Sequence, residues 1–306
     1  MVQGYDRQGA KFACMFKIDL QKAYDTFDWD FVKEMLLTLE FPAKFVTLIM
    51  DCVTTSRFSF MINSSLHGYL QSKRGLRQGD PMSTLLCVIG MEYISRIMNK
   101  VAKDPTFKFH LRCISLRLTH LCFADDLLLS CKGDYIVATL FLRGFKLFSN
   151  TSRLQANVGK SAEYGAALGT LTLDRIVNIS SFQRSTLPFK YLGLKICSKR
   201  ISPADCDYLV DKMTSRIRTW SSRNLSYAGC IILISSVLLT INFYWSQIVI
   251  LPESVVQKII QICHAYLWKG NDMFNGPENV SWTDACKPKK DGGFEFKDVA
   301  LWNLYC

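Results

Sequence analysis

The sequence predicts a mixed fold of β-strands and α-helices, and three features carry that prediction. Residues 12–19, FACMFKID, are typical of a strand that ends in an acid. Residues 121–130, LCFADDLLLS, hold Asp125 and Asp126 between two apolar runs, which indicates two buried strands that meet in a turn at the acids. From residue 207 onward, apolar residues recur at helical spacing, so the last third of the chain is predicted to be mainly helical.

The first third of the chain alternates helix and strand signals. Asp28 is placed to cap a helix in which Phe31 and Met35 repeat at helical spacing. Pro42 ends that helix, and a second helix follows it. Apolar and polar residues then alternate over 58–62 before an Asn-Ser-Ser turn, which predicts a β-hairpin.

The middle of the chain gives clear helix starts, whereas two other stretches are less informative. Pro81 opens a predicted helix that runs to about Lys100, and Asp134 is placed to cap another. Residues 162–182 indicate only one or two strands and loops. The tail from residue 271 is rich in Gly, Asn, Pro and Lys, so we expect it to be loosely ordered.

Composition and charge indicate a globular protein with a polyanionic partner. Of the 306 residues, 49% are hydrophobic and 21% are charged, which excludes a disordered chain. Lys and Arg number 37 against 26 Asp and Glu, and this net charge of +11 favours nucleic acid as the partner. The twelve cysteines stand singly, as is typical of a reducing compartment. Since the start has no secretory signal, we expect an intracellular protein of the nucleus, the cytoplasm or both.

One long apolar segment raises the question of a membrane. Residues 225–252 contain no charged side chain, and 229–251 are long enough to cross a bilayer. Polar residues such as Ser235, Thr240 and Asn242 interrupt the segment, which is unusual for a helix that faces lipid. We therefore predict a buried core helix followed by a strand or loop and no membrane partner, with a membrane span as the alternative.

Two adjacent acids between core strands are costly unless a cation neutralises them. The alternative for Asp125 and Asp126 is an acidic hairpin tip that lies in water. The segment 74–86, RGLRQGDPMSTLL, adds a glycine-rich basic loop before a helix, and alone it would indicate no more than a capped surface loop. The order of a strand that ends in Asp19, this loop and the acidic hairpin is far more specific than any of the three.

These blocks resemble the reverse transcriptase of plant non-LTR retrotransposons of the LINE type. KIDLQKAYDTFDWDF (17–31) is similar to the first catalytic block of that family, GLRQGDPMSTLL (75–86) to its loop and helix, and THLCFADDLLLSCKGD (119–134) to its acidic hairpin. LQANVGKS (154–161) resembles the block that follows, and LPFKYLGLKI (187–196) resembles the primer grip. Thr84 and Cys87 depart mildly from the family pattern, which usually has proline and phenylalanine there.

The resemblance implies an α+β fold of the right-hand polymerase type. It implies a palm with a ferredoxin-like antiparallel sheet and helices, with partial fingers, over 1–185, and a primer-grip segment over 186–200. A helical thumb would follow over 201–270, and 271–306 would be the loosely ordered start of the post-thumb region. Because the first catalytic block stands close to the start of the sequence, we expect the fingers to be incomplete and the chain to be a fragment.

The resemblance also implies an RNA-directed DNA polymerase that uses two metal ions. Asp19 and Asp125 would be the bridging metal ligands and Asp126 a supporting catalytic acid. Nucleotide transfer depends on positioning and charge neutralisation, and Mg²⁺ prefers hard oxygen ligands. Two Mg²⁺ ions are therefore the expected cofactors, with Mn²⁺ as a possible substitute. The expected partners are an RNA template, a DNA primer and deoxynucleoside triphosphates.

The remaining site residues follow from their positions in the family blocks. The residues expected to contact nucleotide, template or primer are Tyr24, Arg77, Gln78, Gly79, Lys160, Tyr191, Leu192 and Gly193. Tyr24 would exclude a ribose 2′-hydroxyl, or else be a core tyrosine. Arg77 would meet the template or be a solvated charge, and Lys160 would protonate pyrophosphate or be a plain surface lysine. Tyr191, Leu192 and Gly193 would form the primer grip.

A second function class stays open at the level of the sequence. A catalytically inactive retrotransposon remnant would at most bind nucleic acid non-specifically through its positive charge. The three acids favour the polymerase, whereas the expected lack of complete fingers favours the remnant.

Overall fold

The structure is a computed structural model that describes residues 12–221, 225–271 and 280–305. The chain divides into two compact units, Met1–Tyr191 and Leu192–Cys306. Each unit has its own cluster of buried apolar side chains. The division falls inside the predicted primer-grip segment, and the predicted functional boundaries at residues 185, 200 and 270 stay predictions.

The strands and helices of the described residues are as follows. The strands are β1 (Ala13–Asp19), β2 (Arg57–Ile62), β3 (Ser65–Gln71), β4 (His120–Phe123), β5 (Asp126–Lys132), β6 (Ala162–Ala166), β7 (Gln183–Arg184), β8 (Phe189–Tyr191) and β9 (Leu194–Ile196). The helices are α1 (Ala23–Thr26), α2 (Trp29–Thr38), α3 (Ala43–Thr54), α4 (Pro81–Val101), α5 (Tyr135–Ser152), α6 (Thr170–Ser180), α7 (Asp207–Ser221), α8 (Tyr227–Leu233), α9 (Leu239–Ser246), α10 (Glu253–Lys269), α11 (Trp282–Ala285) and α12 (Val299–Tyr305).

The first unit is built on a five-stranded sheet in the order β4–β5–β1–β6–β7. The first four strands pair antiparallel, as predicted, but β6 and β7 pair parallel. The fully antiparallel sheet that we expected is therefore wrong at this edge. The cause is α6, which connects β6 to β7 and returns the chain to the same end of the sheet.

The central strand β1 is buried on both faces. Its residues Cys14, Met15, Phe16 and Ile18 have no exposed surface. Successive side chains of a strand point to opposite faces, so apolar residues are needed at every position of a strand that is covered on both sides. The continuous apolar run ACMF of β1 thus reflects two-sided burial, and β1 is the central strand that ends in Asp19.

Helix starts in the first unit agree with the sequence. The Asp28 side chain accepts hydrogen bonds from two backbone N–H groups at the start of α2, and Asp80 and Asp134 cap α4 and α5. Gly144 lies inside α5, where an added Cβ would stand 3.2 Å from Ile97 Cγ2 and from Val101 Cγ2 of α4. The missing side chain of this glycine therefore lets α4 and α5 pack closely.

Two expectations need correction in the first unit. Residues 170–180, predicted as strand or loop, form α6, whose N-cap Gly169 offers no side-chain cap and whose buried residues are only Leu173 and Ile176. The predicted hairpin is present as β2–β3, but none of its positions is buried, and Tyr69 is 85% exposed. The alternation of apolar and polar residues over 58–62 predicted a strand, but it did not indicate that both faces of the hairpin would be exposed to solvent.

The second unit is helical around its own core. Tyr227–Ser246 is helical throughout, because a π-helical turn at Ile234–Leu238 joins α8 to α9. By length and composition it is the one helix of the described residues that could cross a membrane, with 39% of its apolar window buried. Leu238, Leu239 and Trp245 belong to the core of this unit, which agrees with the predicted core helix along one face.

The predicted loose order of the tail is wrong for residues 280–305. Helices α11 and α12 form there, and Trp282, Phe296 and Val299 are buried in the core of the second unit. The Trp282 and Phe296 rings stack with centroids 5.4 Å apart. The Gly- and Lys-rich composition of the tail had indicated a loop in spite of these few buried apolar residues. Residues 272–279 lie outside the described residues.

One buried carboxyl group stands out in the first sheet. Glu163 of β6 lies opposite Phe16 of β1, has no exposed surface, and neither of its oxygens has a hydrogen-bond partner. Burial raises the pKa of Glu163 to about 7, although the charge of Arg184 on β7 acts in the opposite direction. The folded protein therefore binds a proton that the unfolded chain releases near pH 4.5.

We predict that Glu163→Gln changes how stability depends on pH. In the unaltered protein, the stabilising contribution of Glu163 is full below about pH 4.5 and is lost as pH rises through about 7. The variant should therefore gain stability over the unaltered protein across this interval, as measured by urea denaturation at several pH values. Glu34→Gln on the exposed face of α2 removes the same charge and is the control. A gain that does not vary with pH would contradict the prediction.

Candidate active site

Antiparallel pairing brings the three acids to one end of the sheet. Asp19, the last residue of β1, is directly opposite Asp126, the first residue of β5. The Leu20 N–H donates to the Asp125 carbonyl oxygen at 2.8 Å, which continues the pairing past the end of β1. Residues directly opposite in such a pair have their Cβ atoms roughly 5 Å apart on the same face. Asp19 and Asp126 are therefore neighbours although they are distant in sequence.

A tight turn presents Asp125 at the tip of the β4–β5 hairpin. Phe123 pairs with Asp126, so that only Ala124 and Asp125 connect the strands. Ala124 has a φ of 50°, in the left-handed region that costs a non-glycine residue about 1 kcal/mol. Asp125 is exposed, whereas Asp126 is half-buried. The turn thus holds one acid in solvent and the other against the sheet.

Two lysines face the three acids. Lys17 Nζ lies 3.5 Å from Asp126 Oδ1, on the strand and the face that also carry Asp19. Burial raises the pKa of Asp19, and the charges of Asp125 and Asp126 raise it further. The charges of Lys160 and Lys17 lower the pKa of Asp19 and so oppose both effects. The acids of this structure are therefore partly neutralised by side chains of the chain itself.

The donor chemistry of this end of the sheet suits a hard divalent cation. Asp19, Asp125 and Asp126 offer only carboxylate oxygens, the ligands that Mg²⁺ prefers, and their mutual repulsion would be relieved by a cation. No group of three or more His, Cys, Asp or Glu side chains within 12–221, 225–271 and 280–305 is close enough to hold a metal ion. Asp126 is paired with Lys17, so Asp19 and Asp125 fit the role of ligands better than Asp126 does.

A turn next to β6 holds the backbone of Asp19. The Asn157 N–H donates to the Asp19 carbonyl oxygen at 2.7 Å, and the Asp19 N–H donates to Ser161 Oγ at 3.2 Å. Lys160 lies in the same turn and is exposed. The sequence drew attention to Lys160 but not to Asn157, Ser161 or Lys17. Strand alternation could have revealed Lys17, which stands two residues before Asp19, but no local signal marks the other two.

The glycine-rich loop is attached to the segment after β1. The Gly75 N–H donates to the Phe27 carbonyl oxygen at 2.8 Å, and the Leu76 N–H donates to the Tyr24 carbonyl oxygen at 2.6 Å. Trp29 Nε1 donates to the Gly75 carbonyl oxygen at 2.7 Å. The structure therefore brings the loop next to the backbone of Tyr24, whose half-buried side chain packs against the core.

The loop residues that we predict to contact nucleotide or template lie at the protein surface. Arg77, Gln78 and Gly79 are all exposed. Their exposure agrees equally with contact to a nucleic acid and with a solvated loop. Gly75 differs from them, because it approaches the protein backbone and not solvent: an added Cβ would lie 2.7 Å from the Asp25 carbonyl oxygen.

The residues predicted to form the primer grip lie where the chain passes from the first unit to the second. Tyr191 ends β8 in the first unit, and Leu192 and Gly193 form a turn with φ values of 51° and 80°. Within the second unit, the Tyr244 hydroxyl donates to the Leu192 carbonyl oxygen at 2.7 Å. A helix residue therefore holds this turn, a contact that the sequence did not indicate.

Gly75 and Gly79 form a matched pair for a stability test. Both have φ near 90°, but an added Cβ has open space only at Gly79. We predict that Gly79→Ala costs about 1 kcal/mol from backbone strain alone. Gly75→Ala should cost about 2 kcal/mol more, because the backbone around Tyr24 and Asp25 must move. Chemical denaturation measures both losses, and equal losses would contradict the docking of the loop through Gly75.

Comparison with known proteins adds a family and several distant relatives. A family profile described as reverse transcriptase (RNA-dependent DNA polymerase) matches residues 3–196. A putative ribonuclease H protein of Arabidopsis thaliana is 27% identical over 110 residues, which are 36% of this chain and 18% of that protein. The uncharacterized 149 kDa protein of transposon TX1 from Xenopus laevis is 23% identical over 299 residues, or 94% of this chain and 21% of that protein.

Solved structures also show similarity at low sequence identity. A telomerase from Candida tropicalis, in complex with a fragment of telomeric RNA, is 14% identical with a TM-score of 0.48. The similarity covers 78% of this chain and 37% of that chain. The present chain spans about a fifth of the length of each of the two relatives named above.

Proposed function

Because the chain belongs to the reverse transcriptase (RNA-dependent DNA polymerase) family, we propose that it extends a DNA primer along an RNA template. The observation that carries this proposal is the pairing of Asp19 with Asp126 beside Asp125. The family match covers the whole five-stranded sheet, which supports the proposal that this sheet belongs to the palm of a right-hand polymerase fold. The substrates would be deoxynucleoside triphosphates.

We further propose that the chain comes from a LINE-type retrotransposon of plants. The blocks at 17–31, 75–86 and 119–134 occur in the order of that type. The relative from transposon TX1 matches 94% of the chain, and another relative is a plant protein. These relatives are much longer than the chain, so the activities and partners of a complete element are a separate matter.

The proposed site assigns different tasks to the three acids. Asp19 and Asp125 would hold two Mg²⁺ ions, for which Mn²⁺ could substitute, and Asp126 would support them from its pair with Lys17. When bound, such ions supply positive charge at the primer hydroxyl and at the leaving pyrophosphate. Lys160 would carry a proton that the leaving pyrophosphate can accept, because it is exposed and its charge acts on Asp19.

The loop and the tyrosine would position the nucleic acid and the nucleotide. Arg77, Gln78 and Gly79 are exposed on a loop that is docked on the backbone of Tyr24, and they would contact the template base or the incoming nucleotide. Tyr24 would exclude a ribose by its bulk. Tyr191, Leu192 and Gly193 would hold the primer terminus through their backbone at the turn. The chain has 37 basic and 26 acidic residues, and this excess of positive charge supports binding to nucleic-acid phosphates outside the candidate site.

Primer extension with Asp125→Asn tests the proposed chemistry. We predict that the unaltered chain extends a DNA primer on an RNA template with Mg²⁺ or Mn²⁺, and that Asp125→Asn lowers the rate about 100-fold or more, equivalent to about 2.7 kcal/mol. Binding of the primer-template should be unchanged or slightly tighter, and it should weaken steeply with salt. Asp174→Asn, on an exposed position of α6, is the control and should behave as the unaltered chain.

The alternative is an inactive remnant, and one observation favours it. The described acids do not form a three-ligand metal group, and Lys17 engages one of them. A chain that binds primer-template with strong salt dependence but adds no nucleotide with either metal would identify the remnant. Extension that survives Asp125→Asn would also exclude the proposed site.

Tyr24→Ala tests the role of the tyrosine at the sugar. We predict that this variant incorporates ribonucleotides more readily, because the bulk that excludes the 2′-hydroxyl is removed. The control is Tyr93→Ala, since Tyr93 of α4 is also half-buried against the same core. The ratio of deoxyribonucleotide to ribonucleotide incorporation should fall only in Tyr24→Ala. An equal change in both variants would show that Tyr24 acts only in the core.

A further inference from the structure

The pairing of β1 with β6 stops before the catalytic end of β1. The two strands pair from Ala13 with Ala166 to Lys17 with Ala162. Continuing this register would place Lys160 opposite Asp19, but the chain turns at 158–160 and the pairing ends. On its other side, β1 remains paired with β5 up to Asp19. On the side that faces β6, the regular pairing is therefore interrupted at Asp19 and resumes in an isolated antiparallel bridge between Leu20 and Ala156.

A side chain and a backbone group hold Asp19 where the pairing is interrupted. The Asp19 N–H donates to Ser161 Oγ at 3.2 Å, and the Asp19 carbonyl oxygen accepts from the Asn157 N–H at 2.7 Å. Ser161 is only 1% exposed, so its hydroxyl cannot turn freely into water. Both backbone groups of Asp19 are thus held by one turn, and Ser161 is the member of that turn that acts through its side chain.

We propose that Ser161 is a positioning residue for Asp19, which keeps the carboxylate in the place where a divalent metal ion binds. The inference rests on the proposed function, because it assumes that Asp19 is a metal ligand. Water could satisfy an Asp19 N–H at a half-buried strand end, so a buried hydroxyl is not required there merely to complete hydrogen bonding. A fixed hydroxyl does more, since it limits the movement of the residue whose side chain must meet the metal.

The position of Ser161 also links Asp19 to Lys160. Lys160 directly precedes Ser161 in the turn, and its positive charge acts on Asp19. Loosening the Ser161 contact would therefore affect the acid and the lysine beside Ser161 at the same time. Groups that orient metal ligands typically change metal affinity 10- to 100-fold when removed. A structural serine elsewhere in the same sheet should have no such effect.

Mn²⁺ binding measured by electron paramagnetic resonance tests the proposal without nucleic acid or turnover. Titration of the full chain with Mn²⁺ should show binding that Asp19→Asn abolishes. We expect Ser161→Ala to weaken Mn²⁺ binding roughly tenfold. The matched control is Ser130→Ala, because Ser130 of β5 has no exposed surface and its hydroxyl lies 3.8 Å from the Cys113 thiol. Ser130→Ala should bind Mn²⁺ as the unaltered chain does.

Further variants keep the test decisive if Ser161→Ala is unfolded. Ser161→Cys preserves the side-chain volume but replaces the oxygen with a weak acceptor, so it should also lose affinity. Ser161→Thr keeps the hydroxyl and should retain most of the affinity. Thermal unfolding of each variant separates folding from binding, because a positioning role lowers metal affinity in a protein that is still folded.

The outcomes separate this inference from the proposed function. Mn²⁺ affinity unchanged in folded Ser161→Ala and Ser161→Cys would overturn the inference, as would an equal loss in Ser130→Ala. A failure of the unaltered chain to bind Mn²⁺ would overturn it too, because there would be no metal centre to support. If Mn²⁺ binding follows the expected pattern and primer extension is absent, Ser161 still positions Asp19 and only the polymerase function fails.

Discussion

The antiparallel pairing of β1 with β5 is the constraint on which the candidate site depends. It places Asp19 opposite Asp126 and, through the Leu20 N–H, fixes the backbone of Asp125. Three carboxylates so close together repel one another, and the partial burial of Asp19 adds to that cost. The fold tolerates the arrangement because the strands behind it are buried on both faces and cannot shift without disturbing the core.

Two lysines from neighbouring elements reduce the electrostatic repulsion among the three acids. Lys17 comes from β1 itself, and Lys160 comes from the turn before β6. Their positions explain how the acids can coexist when no cation is bound. Asp126 is paired with Lys17, whereas Asp19 and Asp125 are the two acids that we propose as metal ligands. The two lysines thus reduce the repulsion among the acids in the folded chain.

Close backbone approaches build the rest of the site. The loop that carries Arg77 and Gln78 is tied to the segment after β1 by Gly75, whose missing Cβ allows contact with the backbone of Asp25. Ser161 and Asn157 form hydrogen bonds with the backbone of Asp19 on the side of the strand that faces β6. The candidate site is therefore assembled largely through contacts to the main chain around a buried central strand.

Local signals in the sequence were sufficient for the elements and for the family. The caps at Asp28 and Asp134 and the proline at the start of α4 act within one helical turn, so their effect is visible without a structure. The order of the catalytic blocks indicated the reverse transcriptase family, and the profile match confirmed it. Helix α6 was missed because it has no side-chain cap and buries few residues. The order of the tail was missed because its Gly- and Lys-rich composition indicated a loop, although Trp282 and Phe296 anchor it in the core.

By itself, the sequence determined which residues carry charge, where the capped helices α2, α4 and α5 begin and which blocks belong to a polymerase. Only the tertiary structure decided what each acid faces. The strand register brings Lys17 next to Asp126. The Asp19 N–H bonds to the Ser161 hydroxyl just before β6 begins. The absence of a side chain at Gly75 lets the loop contact the backbone of Asp25. Each of these contacts joins segments far apart in the chain, and the free energy that selects them is that of packing the whole sheet. No window of neighbouring residues contains that information.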